Sequence, residues 1–264
     1  MFRSTIACVF GALDFKLRNN LNGKFLAAYM TKRSTVNQKY EYKNGNFYIE
    51  VGNIKHFFIK NRGTRYLNGP QHLGTKLALD YGIANLKLKK GDLIVDVGAN
   101  VGDFSLYLQK FSGLEYVGFE PSPEEFKLLL KNLPPNYKAQ NLVISNKNGM
   151  CKFYISSNGA DSSLFAPKKV ESTIQIESKR LDSIFYSIKL LKIDAEGAEF
   201  EVIQGAEKIL KRIEYIAVDL GFEKGLNLET PCPEVVNYLM ERNFKLISFT
   251  PRSCFVFANL KYRR

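Results

Sequence analysis

The sequence predicts a doubly wound α/β fold: a mostly parallel sheet closed by an antiparallel C-terminal hairpin and preceded by a helix and β-hairpin cap. Three observations carry this. The apolar run Leu93-Ile-Val-Asp-Val97 ends at a glycine turn, Gly98-Ala-Asn-Val-Gly102, and a helical pattern starts at once. Apolar strand-like runs then alternate with amphipathic stretches, as a parallel sheet covered by helices requires. Finally, Lys245–Phe249 and Cys254–Ala258 follow one another with only a turn between them, so the sheet ends in a hairpin.

In chain order, residues 1 to about 45 carry mixed helical patterning at Leu17, Leu21, Phe25, Leu26 and Tyr29, with Asp14–Arg18 read as amphipathic helix and Thr31–Tyr42 as a polar stretch. Phe47–Val51 and Ile54–Ile59 flank Gly52-Asn53 and read as a β-hairpin. Gln71–Ile83 is helical, with Leu73, Leu77, Ala78 and Tyr81 on one face. We assign 1–70 as an N-terminal cap and 71–264 as the main domain. In that domain Leu93–Val97 is the first strand, Asp103–Phe111 the first helix and Tyr116–Glu120 the second strand. Ser122-Pro-Glu-Glu125 opens the second helix with an N-cap serine, a proline at N1 and a capping-box glutamate, and Pro134-Pro135 stops it. Gln140–Ile144 is the third strand; Met150–Ile155 and Ser172–Glu177 flank the polar loop Ser156–Ser163 as antiparallel strands. Leu190–Ile193 is a buried fourth strand, followed by a helix over Glu196–Lys211, a strand over Tyr215–Val218 and a helix over Pro233–Arg242.

Composition narrows the function class. At 45% hydrophobic and 13% aromatic, the 264 residues can fill a core. No apolar run approaches the roughly 20 residues of a membrane span, and Ser4–Leu13 lacks a convincing signal-peptide cleavage site, so we expect a cytoplasmic protein. The four cysteines are scattered without C-x-x-C pairing and only two histidines exist, which signals neither a disulfide framework nor a zinc site. The net charge of +12 raises the local concentration of anionic partners without choosing among them.

Chemistry concentrates at two places. Strand one brings Asp96 to its end and strand two ends in Glu120, so acidic residues tip adjacent strands where open α/β sheets bind ligands. A dinucleotide fingerprint needs G-x-G-x-x-G, but position 100 is Asn; Gly98 and Gly102 give G-x-x-x-G, which lets the backbone approach a ligand without building a pyrophosphate cradle. Further on, Leu190-Leu-Lys-Ile-Asp-Ala-Glu-Gly-Ala-Glu199 delivers Asp194 to the tip of a buried strand, with Glu196 beside it and Glu199 in the first turn of the next helix.

Asp96-Val-Gly-Ala-Asn-Val-Gly102 resembles motif I of S-adenosylmethionine (SAM) methyltransferases. With Phe119-Glu-Pro121, Asp161-Ser-Ser-Leu164, Arg180-Leu-Asp182 and the run through Glu199, residues 65–258 resemble the FkbM family of SAM-dependent methyltransferases. The resemblance implies a seven-stranded Rossmann-like SAM-methyltransferase sheet and O-methylation of a hydroxyl on a sugar, polysaccharide, glycolipid or natural product. It also implies that Asp96, Gly98, Ala99, Asn100, Gly102 and Phe104 line the cofactor with Pro121 and Ser122. Glu120 would accept hydrogen bonds from both ribose hydroxyls, and Asn141 would lie near adenine.

For catalysis, a sugar hydroxyl must lose its proton as it attacks, and the sequence offers Asp194 first, Glu196 beside it and His72 as an outlying alternative. The same carboxylates could instead hold Mg²⁺ and acidify the hydroxyl. The expected partner is a small-molecule or glycan acceptor, an anionic one suiting the net charge, roofed by the cap and the Asn158–Ser163 loop, with Arg62, Arg65 and Tyr66 at hand. Nucleic acid is disfavoured, since Asp194-Ala-Glu-Gly197 stands where a base-methylating enzyme carries Asn/Asp-Pro-Pro-aromatic. A non-catalytic module on the same fold is set aside because both acidic tips are intact.

Overall fold

The computed structural model describes residues 21–156 and 162–262. The expected helix at Asp14–Arg18, Cys8 and most of the polar loop, Ser157–Asp161, lie outside the described residues. The chain divides after Pro70 into two compact units.

The first unit holds helix α1 (Gly23–Arg33) and strands β1 (Lys39–Lys43), β2 (Asn46–Val51) and β3 (Ile54–Phe58). Asn22 caps α1, its Oδ1 accepting from the Phe25 amide at 3.2 Å. The hairpin around Gly52-Asn53 is present, with Val51 paired to Ile54. The stretch Thr31–Tyr42 is not simply a polar linker: α1 runs into it and β1 emerges from it to pair antiparallel with β2. The reason is the Asn44-Gly45 turn, both residues at positive φ (52° and 77°), as a tight two-residue hairpin demands. Tyr66, expected to reach an acceptor, is fully buried instead, its ring 5.2 Å from Phe58 and 5.3 Å from His56.

The second unit is a seven-stranded sheet in the order β12-β13-β11-β10-β4-β5-β6. Its strands are β4 (Leu93–Val97), β5 (Glu115–Phe119), β6 (Lys138–Gln140), β10 (Ile188–Ile193), β11 (Ile213–Asp219), β12 (Phe244–Phe249) and β13 (Cys254–Asn259). β6, β5, β4, β10 and β11 run parallel, and β13 inserts antiparallel between β11 and β12. This is the doubly wound sheet with a C-terminal hairpin that the sequence predicts. The helices are α2 (Pro70–Asp80), α3 (Ser105–Leu108), α4 (Pro123–Asn132), α5 (Glu199–Gln204) and α6 (Cys232–Glu241). Alternation of buried Val95, Val97, Leu191, Ile193, Ile216 and Val218 with Ile203, Leu210 and Leu239 builds one continuous core. After β5 and β6 the chain returns to lay β10 on the other side of β4, so the switch point, and hence the ligand crevice, lies between β4 and β10.

Three elements differ from the sequence reading. The expected third strand splits: β6 ends at Gln140, and β7 (Val143–Ile144) joins β8 (Gly149–Ser156) and β9 (Val170–Lys179) in a separate sheet. Asn141 marks the break, its amide donating to the carbonyls of Glu120 and Pro121 at 2.8 Å each. The first helix is one α-turn, because the amides of Ser105, Leu106 and Tyr107 bond three residues back rather than four. The long helix after β10 starts only at Glu199, since Glu196 and Gly197 take positive φ (50° and 94°), and it breaks at Gly205, where a side chain would stand 2.1 Å from the Ser145 carbonyl.

Candidate functional site

The tips of β4, β5 and β10 form the candidate active site. Gly98 turns sharply at the end of β4 with φ +74°; a Cβ there would lie 1.8 Å from the Asp194 carbonyl oxygen, so only glycine lets the two tips touch. The amides of Gly98 and Ala99 both donate to the Phe119 carbonyl at 3.0 Å, and that of Gly102 to the Ala99 carbonyl. These donors are therefore spent inside the turn, which argues against a pyrophosphate cradle and agrees with the missing central glycine. Asn100, at φ +50°, buries its side-chain oxygen without a hydrogen-bond partner. Phe104 is buried behind the turn.

Glu120, just past the end of β5, accepts from the Asn100 amide through Oε2 and from the Ser122 amide through Oε1, both at 2.8 Å. Burial pushes its pKa up to about 7, against the pull of those amides. This replaces the expected capping box: the Ser122 amide that Glu125 would have accepted is held by Glu120, and the Ser122 side chain makes no cap bond. Pro121 lies between them at intermediate exposure, and Asn141 is exposed on the same rim.

Asp96 is wholly buried: the Tyr116 hydroxyl donates to Oδ2 at 2.8 Å, while Oδ1 is ion-paired with the Lys192 ammonium at 2.9 Å and accepts no hydrogen bond among the described residues. Through Lys192, which also donates to the Gly98 carbonyl, it braces the turn from within the sheet. Burial raises its pKa, partly offset by Lys192. Asp194 is 19% exposed at the tip of β10 and accepts from the Tyr81 hydroxyl through Oδ2. Oxygens of Asp194, Glu196 and Glu223 lie within 4.8 Å of one another. Glu199 turns back to accept from the amides of Ala195 (2.9 Å) and Gly197 (3.1 Å), and burial lifts its pKa to about 8. Its place in the motif is explained by holding this turn. Ser163 approaches the same loop, donating to the Glu196 carbonyl at 2.7 Å.

His72 is exposed on α2, and no hydrogen bond among the described residues links it to Asp194. Arg180 and Asp182 form a clamp: the guanidinium grips the Asp182 carboxylate at 3.0 and 2.6 Å and also donates to the carbonyls of Asn146 and Gln204. The sequence reading missed Lys192, Tyr81, Tyr116, Arg252 and Glu223. Lys192 had a signal, a cation between the apolar Leu191 and Ile193 just before the strand tip. Arg252 had none: it reaches Asp219 at 3.3 Å and sits 5.5 Å from the Tyr81 ring only because β13 pairs with β11.

Residues 96–246 match the family model described as the methyltransferase FkbM domain. The chain is 24% identical over 218 residues to the 2-O-methyltransferase NoeI of Sinorhizobium fredii, covering 74% of this chain and 89% of that one. It is 30% identical over 169 residues to the methyltransferase sdnD of Sordaria araneosa, covering 48% of this chain and 64% of the relative. Among solved structures, a methyltransferase FkbM from Methylobacillus flagellatus KT aligns with a TM-score of 0.48 at 13% identity, over 75% of this chain and 53% of that one.

Proposed function

The chain belongs to the FkbM methyltransferase family, and from that premise we propose that it transfers a methyl group from SAM to a hydroxyl of a sugar-bearing or similar small acceptor. The residues at the tips of β4 and β5 fit SAM. The Gly98 turn leaves no side chain in the way, Asn100 carries an unpartnered buried oxygen, and the Glu120 carboxylate retains lone pairs for two ribose hydroxyls beyond its two amide bonds. When bound, SAM supplies a sulfonium methyl open to in-line attack, so alignment provides much of the rate.

The observation that carries the O-transfer reading is Asp194. It is a part-exposed carboxylate at the switch point, braced by Tyr81 and placed beside the cofactor turn. In this reading Asp194 takes the proton of the acceptor hydroxyl, with Glu196 beside it. The named activity of the NoeI relative supports oxygen as the methylated atom. A second reading rests on the close approach of Asp194, Glu196 and Glu223, an oxygen set suited to Mg²⁺.

One experiment separates the two. Radiolabelled SAM is incubated with nucleotide-sugar and glycan fractions, with and without chelator. Asp194→Asn should abolish transfer while leaving SAM affinity within a few-fold, and chelator should change nothing. Loss of activity in chelator, restored by Mg²⁺, would select the metal route, whereas a fully active Asp194→Asn enzyme would defeat both.

A further inference from the structure

Lys192 is the second-last residue of β10, its neighbours Leu191 and Ile193 are fully buried, and its own side chain is 4% exposed. An ammonium so placed is tolerated only where protein acceptors replace its water. It finds them on both sides of the switch point. The β4–β10 register sets Lys192 opposite Asp96, and the ammonium lies 2.9 Å from Asp96 Oδ1. It also donates to the Gly98 carbonyl at 3.0 Å, within the cofactor turn, and faces Asp194 Oδ2 at 4.0 Å. That same Oδ2 accepts the Tyr81 hydroxyl, while Asp194 Oδ1 has no hydrogen bond among the described residues.

We propose that Lys192 is a positioning residue that joins the two halves of the reaction: it holds the Gly98 turn for SAM and, with Tyr81, fixes Asp194 so that Oδ1 faces the acceptor. The second half rests on Asp194 being the base. The carboxylates of Asp96 and Asp194 outweigh burial and keep Lys192 protonated. One buried cation thus answers to the occupancy of both strand tips, and the direct packing of Gly98 against the Asp194 carbonyl leaves little slack between them.

The test compares Lys192→Met, Lys192→Gln and Tyr81→Phe with the parent. SAM affinity is measured by calorimetry well below each unfolding midpoint, and transfer with labelled SAM on the glycan fractions. Lys192→Met should weaken SAM binding at least tenfold. Lys192→Gln, which keeps a donor for the Gly98 carbonyl, should recover part of that loss. Tyr81→Phe should bind SAM within twofold of the parent yet transfer at least tenfold more slowly. Parental SAM affinity in Lys192→Met, or in Lys192→Gln should the methionine variant not fold, would overturn the proposal, as would undiminished transfer by Tyr81→Phe. If the parent labels no glycan fraction, the O-methylation reading fails, and the calorimetric comparison still decides the role of Lys192 at the cofactor turn.

Discussion

Glu120 shows how much one side chain can carry. Its carboxyl has a pKa of about 7 because burial disfavours the charge more than two backbone amides favour it. Below that pH the group is protonated and offers fewer acceptor sites to the ribose hydroxyls. SAM affinity should therefore rise between pH 6 and 8, and Glu120→Gln should bind more weakly with a flattened profile. Removing the carboxylate altogether, as Glu120→Ala, should cost on the order of 2–3 kcal/mol of binding. The same raised pKa makes the folded state hold a proton that the unfolded chain releases above about 4.5. This group's contribution to stability therefore declines as pH rises from about 4.5 towards 7, and Glu120→Gln should remove that decline. Calorimetric titrations and denaturant unfolding at several pH values check both signs; a pH-independent affinity in the parent would remove Glu120 from cofactor binding. At this scale the sequence was legible where a residue type and a strand tip coincide, as at Glu120 and Asp194. It was silent where a role depends on cross-strand register, as for the pairing of Lys192 with Asp96.

Among the elements, the β4–α3 and β10–α5 turns are one object seen from two strands. Gly98 is the point of contact, at positive φ and against a backbone carbonyl that no rotamer change can move aside. Gly98→Ala should therefore destabilise the protein by roughly 3 kcal/mol or more and abolish SAM binding in whatever fraction folds. Unfolding by denaturant measures the first effect, and a loss below about 1 kcal/mol would show that the two tips can part. Helix lengths were the least legible feature for a related reason. The apolar spacing from Val202 to Leu210 reads as one helix, but the close approach of Gly205 to the Ser145 carbonyl is a tertiary event that splits it. The third strand misled in the same way: Val143 and Ile144 are apolar and β-branched, yet they pair with β9 instead of extending β6.

Across the molecule, the sheet order follows from the alternation of strand and helix together with the closing hairpin, and both were visible as patterns of apolar residues. Which residues meet at the switch point was not visible, since Tyr81, Asp194 and Arg252 are far apart in sequence. The methyltransferase fold and family rest on the sheet order and on the match over residues 96–246. Among the described residues, no helix is long and apolar enough to cross a membrane. The central claim, methyl transfer to a hydroxyl oxygen with Asp194 as the base, is tested most directly by where the methyl carbon lands. With SAM carrying a ¹³C-labelled methyl and the glycan fractions as acceptor, carbon NMR of the product should show a methyl ether, and Asp194→Asn, saturated with SAM, should give none. Label attached to nitrogen, or an undiminished methyl ether signal from Asp194→Asn, would contradict the account.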